Sequence, residues 1–64
     1  MANQIIRDEL REQNVYQWEL AKALGIFEST MVRKMRIEMS EEETRELLAL
    51  IDSIAFDKMG VIKL

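Results

Sequence analysis

The sequence predicts an all-α fold, a compact domain of four helices, and three observations carry that expectation. The 64 residues include no proline and only two glycines, so the turn signals that punctuate sheets are almost missing. Stronger helix formers (Leu, Glu, Arg, Lys, Gln, Ala and Met) fill most of the remainder. Apolar residues recur at i, i+3 and i+4, the spacing that gathers them on one side of a helix. A chain of this length makes one domain, residues 1–64, and it has no internal repeat or low-complexity stretch.

The first helix is expected over about 3–13. Asn3 is its candidate N-cap. Ile6 and Leu10 share a side at i, i+4 with Ile5 beside them, while Arg7 and Arg11 interleave with Asp8, Glu9 and Glu12 as a solvated side. Asn14 breaks the pattern. A second helix over 17–24 carries Trp18, Leu20, Ala21 and Leu24 and ends where Gly25 can take a positive φ. The third, 28–36, sets Met31 and Met35 on one side and Ser29, Arg33 and Arg36 on the other. The fourth, 41–59, opens on Ser40-Glu41-Glu42-Glu43, a capping box whose glutamates suit the positive end of the helix dipole. Leu47, Leu48, Ile51, Ile54 and Ala55 form its apolar stripe, and Gly60 is expected to stop it after Met59.

Composition narrows the function. Without cysteine or histidine there is no disulfide, no Cys-ligated zinc and no imidazole base. Ser29, Thr30 and the glutamates have no base or metal set around them, so an enzyme is not expected, nor a catalytic residue, metal or cofactor. So short a chain leaves no room for a small-molecule pocket beyond its core. No apolar run approaches the ~18 residues of a membrane span. The expected location is the cytoplasm. The net charge of −3 is unevenly spread: Arg33, Lys34 and Arg36 crowd three positive charges into four residues, just ahead of Glu38, Glu41, Glu42, Glu43 and Glu46. An acidic protein can keep one basic surface in this way.

The most informative stretch is Gln17 to Arg36, QWELAKALGIFESTMVRKMR. Leu20-Ala21, then Gly25-Ile26, then Met31 is the spacing of a helix-turn-helix at 17–36. Ala21 lets the third helix cross the second closely, Gly25 turns the chain, and Leu20, Leu24, Ile26 and Met31 fill the wedge between them. An ordinary helix–loop–helix corner would share this frame, but would not account for Ser29, Arg33 and Arg36 collecting opposite the methionines. On these residues the chain resembles the small phage-repressor, Cro-like (XRE) helix-turn-helix family of prophages and mobile elements.

The resemblance implies a sequence-specific regulator of transcription, such as a repressor, that binds double-stranded DNA with its third helix in the major groove. The family's groove-facing positions fall on Phe27, Glu28, Ser29, Val32, Arg33 and Arg36. Arg33 is the candidate for bidentate bonding to guanine, Val32 for a thymine methyl and Glu28 for a cytosine amine. Gln17 matches a phosphate anchor, and Lys34 and Arg36 suit the backbone. The chain departs from the family pattern where Tyr16 and Phe27 replace the usual Ser or Thr caps. It departs again at Lys34, an apolar position in the family, which with Met35 one place later points to a rotated or slightly longer third helix.

One recognition helix spans only ~4–5 base pairs, and regulators commonly pair two half-sites through a two-fold dimer. Leu50 and Phe56, off the stripe of the fourth helix, and Val61, Ile62 and Leu64 beyond it are the candidate homodimer surface; the tail folding back over its own core is the alternative. The acidic charge, Phe27 and this apolar end also fit a different function, a protein-interaction module or inhibitor that keeps the fold without reading DNA.

Overall fold

A computed structural model of the chain describes residues 2–59. It is an all-α domain of four helices: α1 (Gln4–Gln13), α2 (Gln17–Leu24), α3 (Glu28–Lys34) and α4 (Glu41–Met59). α2 packs on α3, and α4 lies across α1 and α2. Ile6, Leu10, Val15, Leu20, Ala21, Met31, Met35, Leu47 and Ile51 form the buried core. None of the described helices is long and apolar enough to cross a membrane.

Two corners repeat one device. α1 ends on Asn14 (φ 59°) and α2 on Gly25 (φ 74°), both left-handed. At each corner the next residue donates back five positions: Val15 N–H to Leu10 O at 2.9 Å, and Ile26 N–H to Ala21 O at 3.0 Å. This is the Schellman arrangement, which satisfies orphan carbonyls and turns the following apolar residue inward. Val15 is buried as a result, and Ile26 packs against the core. Glycine suits residue 25 because a side chain there costs about 1 kcal/mol in the left-handed region; no neighbour lies near enough to obstruct one.

The helix starts differ from expectation in instructive ways. Asn3 precedes α1, but its side chain does not cap that helix; it is buried and bonds elsewhere in the chain. Only half of the box at Ser40 forms. Ser40 Oγ accepts the Glu43 N–H at 3.1 Å, while the Glu43 carboxylate turns to Lys34 Nζ at 3.5 Å. A half-box occurs instead at α2, where Glu19 Oε1 accepts the Tyr16 N–H at 2.9 Å. That carboxylate also takes Lys58 Nζ at 3.1 Å, and the same ammonium donates to Asn14 O at 2.6 Å and stands 5.5 Å from the Tyr16 ring centre. The far end of α4 is thereby tied to the α1–α2 corner.

Glu19 is held below its ordinary value of 4.5, chiefly by the Tyr16 N–H; burial opposes this and the Lys58 ammonium reinforces it. Folding therefore favours the ionised carboxylate. Its contribution is present above the unfolded value and is lost as pH falls through the lower folded value. Urea midpoints measured from about pH 6 down to about pH 3 should fall less steeply in Glu19→Gln than in the parent chain. Equal slopes would show that Glu19 carries no linkage.

Several apolar residues lie farther out than the periodicity implies. Leu24, expected in the wedge, is 40% exposed, and Trp18 is 49% exposed. Ile5 likewise faces solvent. Conversely Leu50, expected on an outer surface, packs against the core. α4 is clasped between α1 and α2, so its buried arc is wider than one stripe and takes in Leu50.

Candidate nucleic-acid interface

α3 is anchored by Met31, at 0% exposure, and by Met35 just past its end. Its first turn is closed by Phe27 O, which accepts the N–H groups of Thr30 at 3.0 Å and Met31 at 3.1 Å. With the methionines inward, Glu28, Ser29, Val32 and Arg33 all come out on the solvent side, together with Phe27 before the helix and Arg36 after it. Phe27 is 81% exposed. No ion pair among the described residues engages Arg33 or Arg36. Lys34 stands apart from this group, half-buried and paired with Glu43.

The third helix stops at Lys34, two residues earlier than expected and shorter rather than longer. The cause lies 32 residues upstream. A continuing α-helix would hand the Met35 carbonyl to the N–H of Met39. The Asn3 amide steps between them: Nδ2 donates to Met35 O at 3.0 Å, and Oδ1 accepts the Met39 N–H at 2.9 Å. The same Nδ2 donates to Ile37 O at 2.9 Å, and Arg7 Nη2 donates to Met35 O at 2.8 Å. Glu38 Oε1 accepts the Asn3 N–H at 3.0 Å. Arg36 and Ile37 close a tightened turn with bonds to Arg33 O and Lys34 O. Asn3 and Arg7 thus define where the exposed side of α3 ends, so Arg36 belongs to a turn and not to the helix.

This clasp was not foreseen. An asparagine just before a helix carries an ordinary capping signal, and nothing nearby in sequence indicates partners more than thirty residues away. Gln17 opens α2 beside a cavity of about 460 Å³ that it shares with Gln4, Arg7, Leu10, Arg11, Asn14, Val15 and Tyr16. A second cavity, about 410 Å³, lies between α2 and α4 against Trp18, Glu19, Lys22, Ala23 and Ile54. Of the candidate dimer residues, Phe56 is 70% exposed, Leu50 is partly buried, and Val61, Ile62 and Leu64 lie outside the described residues, as does Gly60.

Comparison with protein-family models, curated proteins and solved structures returned no match.

Proposed function

We propose that this chain is a sequence-specific DNA-binding regulator of transcription, of the small phage-repressor, Cro-like type, acting as a homodimer. The observation that carries the reading is the outward side of α3: a short helix, anchored by Met31, presents Ser29, Val32 and Arg33 to solvent with an arginine not engaged in any ion pair among the described residues. A helix so held can enter a major groove about 12 Å wide, where an arginine reads guanine O6 and N7 together. Val32 offers a methyl-sized contact to thymine. Arg36, in the turn after α3, suits a phosphate, as does Gln17. The function needs no chemistry and no cofactor; occupation of an operator is the whole act.

Sequencing of random duplexes enriched on the purified protein should return a preferred and palindromic site. Arg33→Ala is expected to relax preference at one position, at a cost of about 1–3 kcal/mol. Arg36→Ala should weaken all sequences about equally. Affinity should fall steeply with added salt as neutralised phosphates release counterions. No enrichment of any duplex, or affinity indifferent to both substitutions, overturns the reading. Light scattering after size exclusion checks the dimer, with Phe56→Glu expected to shift the parent dimer to monomer.

A specific observation favours a second reading. Phe27 and Ile37, both largely exposed, flank the arginine side of α3 and would suit a protein partner better than a phosphate backbone. Retained binding to such a partner, without any DNA affinity, would make the chain a protein-interaction module or inhibitor.

A further inference from the structure

We infer that the groove between α2 and α4 is a binding site for a small carboxylate with an apolar body, held by Trp18, Lys22, Ala23 and Ile54. A chain this short holds no ligand inside its core, but this cavity of about 410 Å³ lies at the surface where two helices meet. That volume suits one small molecule. Trp18 and Lys22 stand at i, i+4 and so share a side of α2, with Ala23 beside them. Trp18 is 49% exposed, which leaves an indole surface for an apolar body to cover. Ile54 reaches the groove from α4 and packs against the core below it. Ala23 is small enough to keep the groove open.

Charge selects the other end of the ligand. Two ionisable residues line the groove, Glu19 and Lys22. The Glu19 carboxylate is already committed: its Oε1 accepts the Tyr16 N–H at 2.9 Å and takes Lys58 Nζ at 3.1 Å. Lys22 is exposed, and no ion pair among the described residues engages its ammonium. In a chain of net charge −3, the groove thus keeps one uncompensated positive charge beside an aromatic surface. A ligand whose apolar part lies on Trp18 and Ile54 brings a carboxylate to Lys22, whereas a cationic ligand is repelled. The apolar walls strengthen that pairing relative to one in open water. None of the lining residues belongs to α3, so the site does not rest on the DNA reading.

Hydrocinnamate is the probe, its uncharged amide the control, and sodium chloride of matched ionic strength the reference. Trp18 is the only tryptophan, so its emission reports the groove directly; NMR amide shifts of the intact chain give the place. Hydrocinnamate should produce saturable changes at Trp18, Lys22, Ala23 and Ile54, with a dissociation constant on the order of 1 mM. The amide should bind about two- to fivefold more weakly, the range of one exposed charge contact. Lys22→Gln should bring hydrocinnamate down to the affinity of the amide and leave the amide unchanged. Ala23→Leu should abolish binding of both with the helices intact by circular dichroism, because residue 23 is exposed and leucine is a good helix former.

No saturable change in the parent chain would overturn the site. Equal affinities for the acid and the amide, or no effect of Lys22→Gln, would overturn the carboxylate as its ligand. Trp18 signals that follow protein concentration and ignore both probes would overturn it too, and would give the groove to a second copy of the chain. These titrations succeeding in a chain that binds no duplex would uphold the site and overturn the DNA reading alone.

Discussion

Asn3→Gly should lower the unfolding free energy by about 3 kcal/mol, a large share of the roughly 3–10 kcal/mol expected for 64 residues. The amide of Asn3 serves two carbonyls, Met35 O and Ile37 O, and one N–H, that of Met39. Its removal strands Ile37 O and the Met39 N–H and leaves Met35 O to Arg7 Nη2 alone, at about 1–3 kcal/mol for each stranded group that water cannot reach. Glycine keeps the left-handed backbone at residue 3 (φ 57°), so this variant isolates the amide; Asn3→Ala should cost about 1 kcal/mol more for the strained φ. Asn3→Asp retains the acceptor for Met39 but loses both donations, and should fall between parent and glycine. Urea unfolding followed by circular dichroism reads the stability. Hydrogen exchange at residues 35–39 reads the place, where protection should be lost first. A change under 0.5 kcal/mol in Asn3→Gly, the usual size at unremarkable surface sites, would show that the clasp is not holding the turn.

Ile51→Ala should cost about 2–5 kcal/mol, enough to leave much of the population unfolded at room temperature. Ile51 has no exposed surface and sits in α4 within the core built from all four helices. Truncation removes three carbons from a site with no water to refill it, and a small core has few neighbours able to close the gap. Ile51→Val, one methylene smaller, should cost about 0.5–1.5 kcal/mol. Leu24→Ala provides the contrast: at 40% exposure it should cost less than half as much as Ile51→Ala. Near-equal losses at the two positions would show that burial is not what separates them.

The Leu24 comparison touches the limit of periodicity as a guide. Helical spacing places Ile6, Leu10, Leu20, Met31, Met35, Leu47 and Ile51 inside, and all seven are buried. It also marks Leu24 as an inner residue and Leu50 as outer, and there the packing differs. α2 is eight residues long and is covered by α3 on one side and α4 on another. Too little surface covers it to bury every apolar residue it carries. Which of them lose water depends on the neighbours' angles, and spacing along one helix says nothing of those.

The candidate recognition side shows the same division. That Ser29 and Arg33 oppose Met31 and Met35 follows from 3.6 residues per turn and is legible in the sequence. That Lys34 is drawn to Glu43 while Arg33 is not depends on where α4 begins relative to the end of α3. Arg7 and Arg11 read as two charges on a solvated helix side. Only the approach of α2's first turn makes them two walls of one cavity.

The sequence by itself determined the four helices, the corners at Asn14 and Gly25, and the inward side of each helix. All of these rest on interactions within a turn or two of chain, where residue type and spacing suffice. Tertiary structure alone decided where α3 stops, which carboxylates Lys34 and Lys58 find, and what the Asn3 amide does. These join residues 9 to 39 positions apart, and a side chain's choice among distant partners is made only once packing has brought one of them within hydrogen-bond reach.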